Sequence, residues 1–272
     1  MGVVVCLVSL AASVVGAICG VGGGILIKPV LDAVAGLDVA TVNFLSGCTV
    51  LSMTAFSVGR MLWRQRSSGG AFGRGLGLDV SRDTPLALGA AAGGLAGRQL
   101  FSLVQRLFAN PDAAGAAQAA LLVAVTAGTL VYTLFKDRVE TREVRGAAPC
   151  AAIGLALGTC SSFLGIGGGP INLVVLFYFF SMDTKGAATA SLYVILFSQA
   201  ASVAAALLTQ DLAGVDGWLL AAMMACGVAG GAFGRSVSAS MDDRTVDRLF
   251  VALMAVIIVI NVCNMAKFAA LA

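Results

Sequence analysis

Two glycine clusters interrupt long apolar segments of this chain, and they constrain its fold more than any other feature. Gly20-Val21-Gly22-Gly23-Gly24 lies in an apolar run at 3–35, and Gly165-Ile166-Gly167-Gly168-Gly169 lies in another at 148–180. Each run is longer than the roughly 20 residues that cross a bilayer once. Three consecutive glycines disfavour a continuous helix, because glycine loses more backbone entropy on folding than other residues. Each run is therefore predicted to contain a helix that breaks inside the membrane.

The composition places the rest of the chain in the membrane as well. Hydrophobic residues make up 59% of the 272 residues and charged residues 11%, whereas soluble domains average about 25% charged residues. Further apolar runs lie at 40–60, 85–103, 116–135, 186–208, 215–236 and 246–268. We therefore predict an all-α integral membrane protein of the cell (inner or plasma) membrane that crosses the bilayer several times.

The residue types that support most catalytic and metal sites are missing or scattered. The chain contains no histidine, which excludes imidazole metal ligands and Ser-His-Asp catalysis. Its seven cysteines form no C-x-x-C pair, so neither a zinc site nor a disulfide framework is indicated. We expect no catalytic residue, no metal and no cofactor, and a protein that is not an enzyme. The expected partners are a small anionic substrate and membrane lipid, with no nucleic acid; a homo-oligomer stays open.

The chain repeats itself. The second glycine cluster lies 145 residues after the first, and the same offset pairs Asp38 with Asp183 and Ser46 with Ser191. Fixed spacing of paired polar residues indicates an internal repeat. We predict two transmembrane repeats, 1–145 and 146–272, in one membrane domain. Motifs near the end of each half also match, at an offset of 137 residues: Gly93-Gly94 and Gly97-Arg98 with Gly230-Gly231 and Gly234-Arg235.

The charges of corresponding loops indicate that the repeats are inverted. The loop from Arg60 to Asp83 and the linker from Lys136 to Arg145 are rich in Arg and Lys, and such loops lie on the cytoplasmic side. The loop Thr209 to Gly217 of the second half has two Asp and no Lys or Arg. Each half must then cross an odd number of times. We predict two four-segment halves, each beginning with a re-entrant, glycine-broken helix, with both termini outside the cytoplasm.

The breaks are predicted to hold an anion. A half-helix that begins inside the membrane directs free N–H groups and its positive dipole end at the break, and corresponding breaks in two repeats point to a site at their interface. Pro170 occupies a favoured first helical position. The predicted substrate-binding residues are the glycines and proline of the breaks with three polar residues of later segments: Gly22, Gly23, Gly24, Gly167, Gly168, Gly169, Pro170, Ser46, Ser191 and Gln199.

Simpler roles stay open for several residues. Glycine also permits close helix packing, which we favour for the pairs Gly93 with Gly97 and Gly230 with Gly234. A single Ser or Thr in a membrane helix often bonds to a carbonyl of its own helix. Such bonding is the alternative for each predicted hydroxyl ligand.

A few further polar and charged residues have two interpretations each. Asn43 and Asn172 could add ligands, and Lys28 either attracts the anion or extends to the membrane surface. Asp38 and Asp183 are candidates for proton coupling. Because Asp183 lies at a predicted helix start, capping is its simpler role.

The paired motifs resemble those of the sulfite exporter TauE/SafE family of membrane permeases. The resemblance rests on G-x-G-G-G with a nearby proline in both halves, Gly20 to Pro29 and Gly165 to Pro170, and on the G-x-x-x-G-R motifs that end at Arg98 and Arg235. It covers essentially the whole chain and implies outward transport of sulfur oxyanions such as sulfite, sulfoacetate and other organosulfonates. One difference is Val174, which stands at the position that matches Pro29.

Four classes of function are compared, of which the last is a purely structural membrane subunit, where alanine in place of the glycines would reduce folding but change no transport. The leading hypothesis is a secondary transporter that binds a small sulfur oxyanion between the two breaks and works by alternating access. A channel for small anions or neutral solutes would use the same half-helices and is the alternative. A membrane-embedded enzyme is disfavoured because the chain lacks histidine and a metal-ligand cluster.

Overall fold

The computed structural model describes residues 2–34, 39–67, 79–107, 111–164, 168–209 and 215–271. Every regular element in these ranges is helical, which confirms the all-α prediction. The predicted site residues Asp38 and Gly167 lie outside the described residues. The helices are α1 (Gly2–Cys19), α2 (Gly24–Val34), α3 (Val39–Ser67), α4 (Val80–Leu107), α5 (Pro111–Phe135), α6 (Ala147–Leu164), α7 (Gly169–Phe180), α8 (Thr184–Thr209), α9 (Gly217–Ser240) and α10 (Asp243–Leu271).

The helices have the length and exposed surface of a membrane bundle. Large apolar side chains face outward, as at Leu7, Phe233 and Val259, each at least 60% exposed. In water such surface is unfavourable, but in lipid it is the expected exterior. Among the described residues, six helical segments are long and apolar enough to cross a membrane: Gly2–Cys19, Thr41–Trp63, Ala147–Leu164, Thr184–Thr209, Gly217–Ser240 and Asp243–Cys263.

The helices of the two halves exchange their contacts. α4 packs on α6, and α9, which corresponds to α4, packs on α1, which corresponds to α6. In the same way α4 contacts α8 while α9 contacts α3, and α5 contacts α7 while α10 contacts α2. The pairs α3 with α8 and α5 with α10 join equivalent helices. The first helix of each half, α1 or α6, therefore packs mainly against a helix of the other half.

The first broken helix is a hairpin. A Cβ atom added at Gly16 would lie 2.6 Å from Gly22 C, and one at Gly23 would lie 3.2 Å from Ala12 C, so residues 22–23 run back along α1. Further on, Leu31 of α2 shares a hydrophobic cluster with Val5 near the start of α1. α2 therefore returns toward the end of the molecule where α1 begins.

The second broken helix returns in the same way. The Arg142 and Val144 N–H groups, just before α6, donate to the Tyr178 and Phe179 carbonyls at the end of α7 at 2.7 and 2.9 Å. The hydroxyl of Ser181 donates to Thr141 Oγ1 at 2.7 Å. The chain thus enters α6 and leaves α7 at one end of the bundle.

Glycine stripes bring the exchanged helices together. Cβ atoms added at Gly93 and Gly97 would overlap the Leu155 and Thr159 carbonyl oxygens of α6. On α9, a Cβ at Gly230 would lie 2.7 Å from the Leu10 carbonyl oxygen of α1, and Gly234 is packed against Val14. The packing interpretation of these scattered glycines is confirmed, because a side chain there would meet the neighbouring backbone.

Equivalent aspartates cap α4 and α9. The Asp79 carboxylate accepts from Ser81 N at 3.1 Å, and the Asp216 carboxylate accepts from Trp218 N at 2.9 Å. The two residues are 137 residues apart, the offset that relates the glycine motifs of the same helices. Side-chain acceptors at this position satisfy one of the free N–H groups of a helix start. The caps therefore fix where both helices begin.

One end of the bundle gathers the basic loops. The start of α4 and the linker before α6 line a cavity of about 500 Å³ that contains Arg82 and Arg145 together with Asp79 and Glu143. At the same end of the bundle, Lys136 forms an ion pair with Asp247 of α10. Four of the connections between helices therefore come together at this end.

Candidate functional site: two helix breaks on one side chain

Gly20 and Gly22 make the first break. Gly20 has φ 75°, and the Val21 N–H donates to the Gly16 carbonyl at 3.0 Å. This pattern of a left-handed glycine and a bond from the following residue ends helices in the Schellman motif. Gly22 also has φ 68°. The Gly23 carbonyl then accepts from Leu26 N and Ile27 N, and α2 begins at Gly24.

The second break ends in an uncapped helix start. Gly168 has φ 117° and is the N-cap residue of α7, and it has no side chain that could accept a hydrogen bond from the first turn. Gly169 is the first residue of α7, and Pro170 lies in its first turn as predicted. Both are buried. The first turn of α7 therefore begins inside the protein, where water cannot satisfy its N–H groups.

Both breaks contact Ile195 in the middle of α8. A Cβ atom at Gly22 would lie 3.4 Å from Ile195 Cδ1, and one at Gly168 would lie 2.7 Å from Ile195 Cγ1. Gly22 also lies against Val50 of α3, at 3.3 Å to Cγ1. Val50 and Ile195 are 145 residues apart and hence equivalent in the repeat. The two clusters, distant in sequence, thus meet at the interface between α3 and α8.

Several buried polar atoms without a partner lie on the helices that form the breaks, and others lie on α3, α5 and α8, at Asn43, Ser57, Tyr132 and Ser191. Among the described residues, the hydroxyls of Ser13 and Ser161 and both amide atoms of Asn172 are buried without a hydrogen-bond partner. Ser13 Oγ lies 3.2 Å from a Cβ position at Gly23, and Asn172 Nδ2 lies 2.9 Å from one at Gly168. Buried polar groups in folded proteins nearly always have partners. The unpartnered atoms of Ser13 and Asn172, which lie beside the breaks, are the ones that a polar ligand there would contact.

The threonines of α3 behave differently from these serines. Thr49 Oγ1 and Thr54 Oγ1 each donate to the carbonyl four residues earlier, at 2.8 Å. These two hydroxyls therefore bond to carbonyls of their own helix, which is the alternative to a role as ligands. Ser191 on α8 is fully buried, and its hydroxyl has no partner.

The remaining predicted residues lie on the facing helices. Ser46 on α3 and Gln199 on α8 are buried, at 4% and 7% exposure. Gln199 Oε1 lies 3.3 Å from a Cβ position at Gly47, so this amide points at α3. Gln199, Ser191 and Ile195 follow one another at spacings of four residues along α8 and share its inner face. The structure therefore places Ser191 and Gln199 on the same face as the contact between the breaks.

Asp183 lies at the start of α8. Its carboxylate accepts from Gly186 N at 3.4 Å, and its carbonyl accepts from Ala187 N at 2.9 Å. These are the contacts of a helix cap. The proton-coupling role of Asp183 stays a prediction.

Gln118 is a residue of the site that sequence reasoning missed. Lys28 Nζ donates to Gln118 Oε1 at 3.1 Å, and Gln118 Nε2 donates to the Phe163 carbonyl at 3.0 Å. Lys28 is only 5% exposed, so its ammonium does not extend to the membrane surface. A lone Gln in an apolar run was the available signal, because an amide in hydrocarbon needs a partner.

Two arginines inside helices reach toward α8. Arg98 of α4 donates to the Ser202 carbonyl at 2.8 Å, and Arg235 of α9 donates to Thr189 Oγ1 at 3.2 Å. Both are half-buried and lie before the last turn of their helices. They therefore connect α4 and α9 to α8, whereas the glycine motifs of the same two helices pack on α6 and α1.

The fold and the paired breaks define a multi-pass helical membrane protein built around two half-helices that meet inside it. A family model described as "Sulfite exporter TauE/SafE" matches residues 5–260. The chain belongs to this family, and the resemblance seen in its glycine motifs is confirmed. Neither a curated protein nor a solved structure matches the chain significantly.

Proposed function

We propose that the protein is a secondary transporter that exports a small sulfur-containing oxyanion, such as sulfite, sulfoacetate or a related organosulfonate. The observation that carries the proposal is the contact of both helix breaks with Ile195. A substrate at this point would contact the N-terminal turns of two half-helices, whose N–H groups and dipoles favour negative charge. Membership of the sulfite exporter family supports the same class of substrate.

The proposed topology is an inverted repeat with two re-entrant hairpins. The exchange of helix contacts between halves is what a two-fold relation between the repeats would produce. Both broken helices return to the end of the bundle where they start. For the first, this is supported by the hydrophobic cluster that contains both Leu31 and Val5. For the second, it is supported by the hydrogen bond from the Val144 N–H to the Phe179 carbonyl. Each half then crosses three times more, and the halves face opposite sides of the membrane.

The end of the bundle that carries the basic loops is assigned to the cytoplasm. Lys136, Arg82 and Arg145 lie there, and positively charged loops stay on the cytoplasmic side. The exposed indoles of Trp63, at the end of α3, and Trp218, at the start of α9, fit the two membrane interfaces. Both chain termini then lie outside the cytoplasm.

Alternating access would move one half against the other around Ile195. The Lys136–Asp247 ion pair joins the residue that follows α5 of the first half to α10 of the second at the cytoplasmic end. Breaking such a pair would open this end while the breaks still hold the anion. In this scheme Asp38 and Asp183 stay candidates for proton coupling, and the transporter uses no cofactor.

Flux into proteoliposomes tests the proposal. Sulfite, sulfoacetate and thiosulfate are offered to the purified protein, and saturable uptake with counterflow identifies a carrier. Flux that does not saturate and shows no counterflow would instead identify the channel alternative. No flux of any sulfur anion would refute the substrate class.

The Gly23→Ala variant tests the position of the site. The added Cβ would lie 3.2 Å from Ala12 C and Ser13 N, close enough to move the break by a few tenths of an ångström. Gly128→Ala is the matched control, because a Cβ at Gly128 has no neighbour within 4 Å. We expect Gly23→Ala to lose flux while folding normally and Gly128→Ala to keep it. Equal flux in both would make the first break a packing device.

A further inference from the structure

The buried amide of Asn172, at the second break, needs hydrogen-bond partners for both its nitrogen and its oxygen. The residue is 2% exposed, and neither Nδ2 nor Oδ1 has a hydrogen-bond partner. Its Nδ2 lies 2.9 Å from the Cβ position of Gly168, so the amide is directed at the N-cap of α7. The side chain therefore has one donor and one acceptor without a partner beside the start of α7.

The start of α7 supplies donors beside this amide. α7 has 12 residues and begins at Gly169, and its N-cap Gly168 has no side chain to accept from the first turn. Pro170 has no N–H, so Gly169 and Ile171 carry the first backbone donors. An anion at this helix start would accept from backbone and from Asn172 Nδ2 together. Asn172 Oδ1 cannot take part in that contact, since it is an acceptor.

Two serine hydroxyls extend the polar surface. Ser161 and Ser191 are buried, and neither hydroxyl has a partner. Ser161 is the repeat counterpart of Gly16, which packs on the first break. Ser191 lies one helical turn before Ile195 on α8. A hydroxyl both donates and accepts, so these groups suit the same mixed ligand as the amide.

One buried cation is connected to this region. Gln118 accepts from Lys28 Nζ and donates to the Phe163 carbonyl, in the last turn of α6 before the break. These hydrogen bonds connect the first half-helix to the turn that precedes the second break.

We propose that the second break selects an oxyanion that carries an O–H group, with hydrogensulfite as the simplest case, over oxyanions that lack an O–H, such as the sulfite dianion and sulfonates. The O–H of the ligand donates to Asn172 Oδ1, while its other oxygens accept from Asn172 Nδ2 and the α7 N-terminus. A ligand without a donor leaves Oδ1 buried and unsatisfied, which weakens binding by about tenfold or more. This inference deepens the proposed function and rests on it for the sulfur chemistry.

Equilibrium binding tests the selection independently of transport. Calorimetric titration of the full chain in detergent uses sulfite below and above its second ionisation, which converts hydrogensulfite to the dianion. Methanesulfonate, a monoanion without an O–H at either pH, is titrated in parallel. Its charge does not change, so any dependence of its binding on pH comes from the protein and not from the ligand.

Two variants test whether the Asn172 amide causes the preference for hydrogensulfite. Asn172→Leu removes both polar atoms at similar size. Asn261→Leu is the matched control, since Asn261 is also buried but donates to the Ile257 carbonyl of its own helix at 2.8 Å. We expect the wild type to bind hydrogensulfite about tenfold more tightly than methanesulfonate or the dianion. Asn172→Leu should lose this preference, and Asn261→Leu should keep it.

The outcomes separate this inference from the proposed function. Equal binding of hydrogensulfite and methanesulfonate by the wild type, an unchanged preference in Asn172→Leu, or no binding of either anion would overturn the selection. Selective binding without flux in proteoliposomes would support the selection and refute the transporter. Flux of sulfonates equal to that of hydrogensulfite would leave the transporter standing and refute the selection.

Discussion

Lys28 Nζ lies 3.1 Å from Gln118 Oε1, and this bond joins α2 to α5 inside the bundle. Gln118 passes the connection on to the Phe163 carbonyl at the end of α6. The first half-helix is thereby tied to the last turn before the second break. Two hydrogen bonds therefore connect the two broken helices through Gln118.

Replacing Lys28 should weaken anion transport. In Lys28→Met the stem is kept and the ammonium is removed, so the hydrogen bond to Gln118 that connects α2 to α5 is lost and α2 is held less firmly. Hydrogen bonds to charged groups contribute about 1.5–3 kcal/mol, which corresponds to at least a tenfold rise in KM. The measurement is sulfite uptake against concentration. A KM within twofold of the wild type would show that Lys28 serves only packing.

Alanine at Gly158 should destabilise the fold strongly. A Cβ at Gly158 would overlap the Ala90 carbonyl oxygen of α4 and force α4 and α6 apart. We expect a large drop in Tm in detergent for Gly158→Ala. Gly128→Ala should leave Tm unchanged or raise it, because alanine favours a helix by about 1 kcal/mol where space is free. Equal Tm values for the two variants would contradict the packing account.

Shortening Ile195 tests the contact between the breaks. Ile195 is fully buried between Gly22 and Gly168. Ile195→Val removes one methyl group and should cost about 1 kcal/mol, whereas Ile195→Ala should cost about 2–5 kcal/mol. Flux should survive in the valine variant and fall in the alanine variant, since the cavity lets the breaks move. Tm and uptake are measured on the same preparations, and full flux in Ile195→Ala would refute the role of this contact.

The Lys136–Asp247 ion pair should make a measurable contribution to the stability of the contact between the two halves. Both side chains are partly exposed, at 20% and 25%, so solvent screening limits the interaction to about 1 kcal/mol. Lys136→Met, Asp247→Asn and the double variant form a thermodynamic cycle measured by Tm. We expect the double variant to be less destabilised than the sum of the single ones. Strict additivity would show that the pair contributes nothing.

The cap at Asp79 should make stability depend on pH in the acid range. The Ser81 hydroxyl donates to Asp79 Oδ1 at 2.7 Å and lowers the pKa of this carboxyl below its usual value. A carboxyl with a lowered folded-state pKa stabilises the fold above its unfolded pKa and loses this effect as pH falls through the folded one. Asp79→Ala should therefore lower Tm at neutral pH and matter less in acid. A pH-independent difference in Tm would contradict the assignment.

Much of the architecture was predictable from local sequence. Gly20 and Gly168 take backbone conformations that other residues rarely adopt, so the clusters mark the breaks directly. Pro170 lies in the first turn of α7, as its fixed φ favours. Gln118 was missed, because its role depends on Lys28 and Phe163, which are distant in sequence.

Apolar composition and the two glycine clusters were enough to predict the membrane environment and the positions of the helix breaks, because both properties are local. Fixed spacing of paired residues predicts the repeat that relates the breaks. The contact of both breaks with Ile195, and the unpartnered donor and acceptor of Asn172 beside the second break, are visible only in the folded structure. Close helix packing selects which buried polar groups find partners, and that selection depends on contacts between residues far apart in the chain.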